Sequence, residues 1–300
     1  MLPVKQKIIV LVGPTASGKS DLGVALARKF EGEIISADSR QVYRGLDVGA
    51  GKITKKEMRG VPHFCLDILS PKKVFTAKEY AHCTSAAIDA IQANKKIPII
   101  VGGTGFYIDT ALGKMPLADV APNPTLRKKL AKKSASQLFA LLKKLDPKRA
   151  RTIDAKNPVR LIRAIEIAIE KPHPNPLLRK ERAHKQQILW IGIRRSPEEL
   201  KKRIEQRLIR RLPGIIKEVK KLRLGGVSWK RLYDLGLEYR FVSLHLRGKL
   251  SETEMKTQLE TAIRHYAKRQ MTWFKRNKQI HWISNKKDAE KLVRNFLKKK

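Results

Sequence analysis

The chain has 300 residues, 42% of them hydrophobic, and carries 66 Lys and Arg against 27 Asp and Glu, a formal net charge of +39. That apolar content supports a buried core and excludes a disordered tail, and the length suits one large domain or a core with a smaller inserted one. A basic excess this far beyond what solubility needs implies a polyanionic partner such as RNA, DNA or an anionic membrane.

The first element is the apolar run IIVLV at residues 8–12, followed by GPTASGKS and then by the helical pattern DLGVALARKF. Gly13, Gly18, Lys19 and Ser20 fit G-x-x-x-x-G-K-[ST] between a strand and a helix, the context that motif requires. Such a loop, Gly13, Pro14, Thr15, Ala16, Ser17 and Gly18, wraps backbone N–H groups around phosphate oxygens, and the helix start adds partial positive charge. Lys19 supplies a point charge and Ser20 a hydroxyl for Mg²⁺. The loop holds a di- or triphosphate, and its spacing does not distinguish which.

A second strand, EIIS, runs into Asp38 and Ser39 and is expected beside the phosphate-loop strand. A carboxylate at such a strand end suits Mg²⁺ ligation through water or acceptance of a proton, with a turn cap as the alternative. Cys65 and Cys83, with His63 and His82 nearby, lack closed zinc-site spacing and give no disulfide framework, so both are expected as free thiols. TAKEYAHCTSAAIDAIQANKK then reads as a helix and PIIVGG as a strand that ends in Gly102, Gly103 and Thr104. This alternation argues for an α/β fold with a parallel sheet and crossover helices. Ligands in such sheets sit outside the carboxyl ends of the strands, here GPTASGKS, ADSRQVYRG and GGTGFY, which are expected to converge on one cleft.

From about Met115 the texture changes. Proline-punctuated MPLADVAPNPTL leads into the helical patterns LRKKLAKKSASQLFALLKKL and PVRLIRAIEIAIE, ending at KPHPNPLL. This predicts a small helical insertion over residues 116–185 between core segments 1–115 and 186–300. QILWIGI at 187–193 reads as a strand that returns to the sheet, helices follow to Trp273, and HWIS is a last short strand. NKKD at 285–288 mimics a guanine-reading motif, but no aspartate here has glycine three residues later, so Asp288 is read as a first-turn helix acid. No apolar run approaches the ~20 residues of a membrane span, and a cytoplasmic protein without a membrane partner is expected.

Charge is unevenly spread. Residues 1–67 carry 11 Lys and Arg against 7 Asp and Glu, residues 127–151 carry 10 against 1, and residues 268–300 carry 12 against 2. The phosphate-loop end is nearly balanced, and the later chain faces the polyanion. On these residues alone, a P-loop kinase acting on a small molecule or nucleotide and a non-catalytic RNA-binding protein are both open readings.

GPTASGKS, ISADSRQVYRGLDVGAGK, VPHFCLDI, VGGTGFY, NPVRLIRAIE, RIEQRL and AKRQMTWF, in that order and through nearly the whole chain, resemble the bacterial tRNA dimethylallyltransferases. The resemblance implies a P-loop NTPase-like core whose loop cradles the diphosphate of dimethylallyl diphosphate rather than ATP. It implies transfer of the dimethylallyl group to N6 of adenosine 37 in tRNAs that read codons beginning with U, with release of diphosphate. Lys19, Mg²⁺ held by Ser20, and Arg207 would then stabilise the leaving group, and Asp38 would take the proton from N6. Arg203 lies one helical turn from Arg207, and the resemblance favours Arg207.

For contacts to the tRNA anticodon stem-loop it points to Asp38, Ser39, Arg40, Gln41, Thr104, Arg127, Val159, Arg160, Leu161, Ile162, Arg163, Lys268, Arg269, Gln270 and Thr272. The target adenine is expected to leave its stack to reach the diphosphate, and the protein to act as a monomer. Where the family usually has Gly-Tyr followed by a basic and an acidic residue, this chain has GLEYR at 236–240, which leaves the roles of Tyr239 and Arg240 open.

Overall fold

The computed structural model describes residues 6–115, 117, 118, 120–170 and 186–299. The chain divides into two compact units, Met1–Met115 with Ala183–Lys300, and Pro116–Arg182. The segment KPHPNPLL, read as the end of the insertion, lies outside the described residues.

The first unit is built on strands β1 (Gln6–Val12), β2 (Gly32–Ala37), β3 (His63–Phe64), β4 (Ile97–Gly102), β5 (Gln186–Ile193) and β6 (Ile280–Ile283). They form one parallel sheet in the order β3-β2-β4-β1-β5-β6. Because side chains alternate across a strand, Ile8, Val10 and Val12 of β1 pack on one face and Ile9 and Leu11 on the other, all fully buried. A strand covered on both faces reads as an unbroken apolar run, which is why IIVLV carries no polar alternation.

The order corrects one expectation. β2 does not neighbour β1, because β4 lies between them and pairs with both. The β1-to-β2 crossover skips one position, which a later strand of the chain fills, and nothing in local sequence records that vacancy. Asp38 therefore stands two strands from the phosphate loop, with Gly102, Gly103 and Thr104 between.

Helices α1 (Lys19–Lys29), α2 (Lys55–Met58), α3 (Ala77–Ala93) and α4 (Gly105–Ala111) belong to the first half of this unit. The insertion contributes α5 (Pro124–Leu130), α6 (Ala135–Leu145), α7 (Pro147–Ala150) and α8 (Pro158–Glu170), which close around their own core of Leu130, Leu138, Leu142, Leu161 and Ile165. After β5 come α9 (Pro197–Leu224), α10 (Trp229–Leu235), α11 (Leu237–Leu246) and α12 (Glu252–Phe274), and after β6 comes α13 (Lys286–Lys298).

Their starts are written in the sequence. Thr76 with Glu79 and Ser251 with Glu254 make capping boxes for α3 and α12, and Ser196 caps α9 ahead of Pro197 at its first turn. Asn285 caps α13 and Asp288 sits in its first turn, as read from the sequence. Along α9, Ile204, Leu208, Leu212, Ile215, Val219 and Leu222 recur at helical spacing and are buried against α11 and α12.

A second correction concerns the cysteines. Cys65, in the turn after β3, and Cys83, in α3, are joined by a disulfide with Cα atoms 6.4 Å apart. The sheet places α3 over the end of β3, which brings together two residues 18 apart whose spacing alone specifies no bridge.

Leu11→Ala, at a fully buried position beneath the phosphate loop, is expected to lower unfolding free energy by roughly 2–5 kcal/mol, read as a drop in denaturation midpoint with unchanged slope.

Candidate active site

The turn from β1 to α1 is held from outside by cations. Lys19 Nζ donates to the Pro14 carbonyl at 2.8 Å, Arg203 Nε to the Ala16 carbonyl at 2.7 Å, and Arg195 Nε to the Ser17 carbonyl at 3.3 Å. With the carbonyls turned toward these donors, the loop can offer N–H groups to an anion. Gly18 takes φ 91 at the helix N-cap, a left-handed conformation that glycine adopts without strain, and Ser20 stands exposed one residue into the helix. Arg207 Nη1 reaches Thr15 Oγ1 at 3.3 Å.

Electrostatics mark this loop as an anion site. Burial, reinforced by the neighbouring Arg207 charge and opposed by Asp38, lowers the Lys19 ammonium to about 8. Two like charges facing each other with one carboxylate nearby form a site that a phosphate group would stabilise. Arg207 also contributes, after burial, to the lowering of Arg211 to about 10.

On the other side of the cleft, Asp38 Oδ1 accepts from the backbone N–H of Arg40 at 2.8 Å and of Gln41 at 3.3 Å. The turn cap and the reactive carboxylate are thus compatible, since Oδ2 has no hydrogen-bond donor among the described residues. Thr104 ties the strand ends together: its N–H donates to the Ala37 carbonyl at 3.1 Å and its Oγ1 accepts from Ser39 N–H at 3.2 Å. Arg40 and Gln41 are already engaged, Arg40 Nη1 with the Ser39 carbonyl at 3.1 Å and Gln41 Nε2 with the Gly51 carbonyl at 3.3 Å.

Sequence reading missed how much of this rests on α9. Flanking its apolar stripe, Arg203, Arg207, Arg211 and Glu218 share one half-buried face. The Glu218 carboxylate accepts from the N–H groups of Asp47, Val48 and Gly49 at 2.8, 2.6 and 3.0 Å and from Tyr239 Oη at 2.8 Å. Arg211 donates to the Val48 and Gly49 carbonyls of the same loop. The charged i, i+4 pattern was the available signal. Tyr239 is therefore an anchor for residues 47–49, and Arg240 lies 4.4 Å over the Tyr233 ring, which assigns both a structural use in the GLEYR departure.

The expected RNA-contact residues divide. Lys268, Arg269 and Thr272 are exposed on α12, as are Val159 and Arg160 on α8, while Ile162 is half-buried. Leu161 is a correction: it is fully buried in the insertion core because it falls on the apolar stripe of α8, so its side chain is withheld from any partner. Arg127 and Arg163 both grip the fully buried Glu166, at 2.7 Å each. Burial pushes that carboxyl up, but the bonds from Arg127, Arg163 and the Asn123 N–H outweigh it and bring it down to about 2. Gln270 is buried and both ends of its amide are used within the protein. Trp273 is half-buried, with its Nε1 donating to Asp109 Oδ2 at 2.8 Å.

Residues 41–277 match the family described as IPP transferase. The chain belongs to that family. It is 42% identical to tRNA dimethylallyltransferase 2 of Trichlorobacter lovleyi over 94% of this chain and 93% of that protein. It is 40% identical to tRNA dimethylallyltransferase 1 of Geotalea uraniireducens over 97% of both chains. Among solved structures, the tRNA isopentenylpyrophosphate transferase of Bacillus halodurans superposes with a TM-score of 0.72 at 32% identity, covering 98% of this chain and 96% of that one. A eukaryotic dimethylallyltransferase acting on tRNA superposes with a TM-score of 0.77 at 25% identity, covering 93% of this chain and 74% of that one.

The IPP transferase match begins at residue 41, after both the phosphate loop and Asp38, and runs to the residues that follow α12.

The lowered Lys19 predicts a pH dependence. A diphosphate monoester, whose last ionisation lies near about 6 like that of other phosphomonoesters, binds best to the ammonium form. Its affinity is expected to hold steady up to about pH 8 and to fall above it as Lys19 deprotonates, a decline absent from Lys19→Met, which binds weakly throughout; calorimetric titration at several pH values checks this.

Proposed function

We propose that the protein transfers the dimethylallyl group of dimethylallyl diphosphate to N6 of adenosine 37 in tRNAs that read codons beginning with U, releasing diphosphate. The observation that carries this reading is that one sheet presents, on either side of the end of β4, a cationic phosphate loop and the Asp38 carboxylate with one oxygen uncommitted. Family membership supplies the reaction class, and the relatives that are tRNA dimethylallyltransferases supply the donor and acceptor.

In the step itself the C1–O bond of the donor breaks, its electron pair leaving with diphosphate, while the N6 lone pair forms the new C–N bond. Loop N–H groups, Lys19 and Arg207 face the departing charge, and Asp38 accepts the N6 proton. Holding a weakly nucleophilic amine in line with C1 contributes as much as basicity does.

Magnesium fits the residues present. It keeps few protein ligands and several phosphate or water oxygens, and the exposed Ser20 hydroxyl offers one such ligand. Among the described residues no group of three or more His, Cys, Asp or Glu stands ready to hold a metal without the diphosphate. When bound, the ion would neutralise charge on the leaving group.

For the RNA we assign Lys268, Arg269, Thr272 and Arg160 to phosphates of the anticodon stem-loop, with Arg127 and Arg163 contributing one net positive charge beyond Glu166. Ser39, Arg40, Gln41 and Thr104 line the path of the flipped adenine. No helix among the described residues is long and apolar enough to cross a membrane, and we assign the protein to the cytoplasm as a monomer.

Incubation with unmodified tRNA, Mg²⁺ and dimethylallyl diphosphate is expected to add one dimethylallyl mass to adenosine, detected by mass spectrometry of the digested nucleosides. ATP turnover without that product would reinstate a kinase. Asp38→Asn keeps the Oδ1 turn contacts and is expected to lower kcat by about 10²-fold or more with tRNA affinity unchanged.

A further inference from the structure

The apolar stripe of α12 runs Met255, Leu259, Ile263, Ala267, Gln270, Phe274, and its one polar member is Gln270, 5% exposed. A buried amide costs stability unless both of its ends are paired. Both are. Gln270 Oε1 accepts the Thr15 N–H at 2.8 Å, across 255 residues of chain, and Nε2 donates to the Gly103 carbonyl at 3.0 Å, across 167.

The two partners stand at the ends of the neighbouring strands β1 and β4. Thr15 belongs to the phosphate loop, while Gly103 precedes Thr104, which carries the Ser39 N–H and adjoins Asp38. The contact at Gly103 is so close that a Cβ there would push the Gln270 amide out of its place. One turn on, the Trp273 ring fills the space that a side chain at Gly105 would need, so the end of α12 is keyed to the β4-to-α4 turn twice. Because the Thr15 N–H is spent on Gln270, it is not one of the groups that cradle phosphate.

We infer that Gln270 is a positioning residue, not an RNA contact: its amide sets the spacing between the donor loop and the Asp38 side of the cleft, and it ties both to the helix whose outer face carries Lys268, Arg269 and Thr272. This rests on the transferase reading. No shorter side chain spans both partners, and an ionised carboxylate lacks the N–H that Gly103 takes.

The test uses Gln270→Met, similar in length and without hydrogen bonds, and Gln270→Glu. For Gln270→Met the KM of dimethylallyl diphosphate is expected to rise and kcat to fall, each about tenfold or more, while tRNA affinity measured without donor stays within about twofold of wild type. For Gln270→Glu, a protonated carboxyl restores both bonds, so its donor affinity relative to wild type should recover as pH is lowered from about 8 toward 5.5, a rescue that a merely structural residue would not show.

Weakened tRNA binding with donor kinetics unchanged would overturn the inference, as would unchanged parameters in both variants. Should Gln270→Met fail to fold, the pH-dependent ratio for Gln270→Glu decides alone. Absence of product from the wild-type enzyme would instead sink the transferase reading, and titration of dimethylallyl diphosphate into wild type and Gln270→Glu without tRNA would still decide the role of Gln270.

Discussion

A peptide loop binds an anion only if its carbonyl oxygens are turned away and kept there, because each peptide carries an acceptor as well as a donor. The active site depends on meeting that constraint. Lys19, Arg203 and Arg195 hold the carbonyls of Pro14, Ala16 and Ser17, and Gln270 takes the Thr15 N–H. The loop is thereby organised before any phosphate arrives, so binding energy is not spent on ordering it.

The long helix α9 extends the same logic. One face buries apolar residues against α11 and α12, and the strip beside it sends Arg203 and Arg207 to the phosphate loop and Arg211 and Glu218 to residues 47–49. In that second loop Glu218 occupies the place that a bound anion would, accepting three consecutive backbone N–H groups. A basic protein thus spends one of its scarce carboxylates to fix this loop. Glu166 does the same in the insertion, where it gathers two arginines at the cost of a buried charge that would be strongly destabilising unpaired.

The net charge of +39 is consequently not all available to a partner. Several arginines in the cleft are committed to carbonyls, and Arg127 and Arg163 to Glu166. Among the basic residues assigned to RNA, Lys268, Arg269 and Arg160 combine exposure with no such commitment.

The strand–loop–helix context of GPTASGKS, the apolar strands, the first-turn acid Asp288 and the insertion were legible in sequence, because each depends on residues close together in the chain. The placement of Asp38 at a strand end was legible too. What tertiary structure alone decided was the sheet order that puts β4 between β1 and β2, the Cys65–Cys83 bridge, the burial of Leu161, and the inward use of Gln270, Arg211 and Glu218. Each of these joins residues by a distance in space that no local pattern encodes: a glutamine on a helix reads the same whether it faces RNA or closes a gap of two hydrogen bonds between loops 255 and 167 residues away.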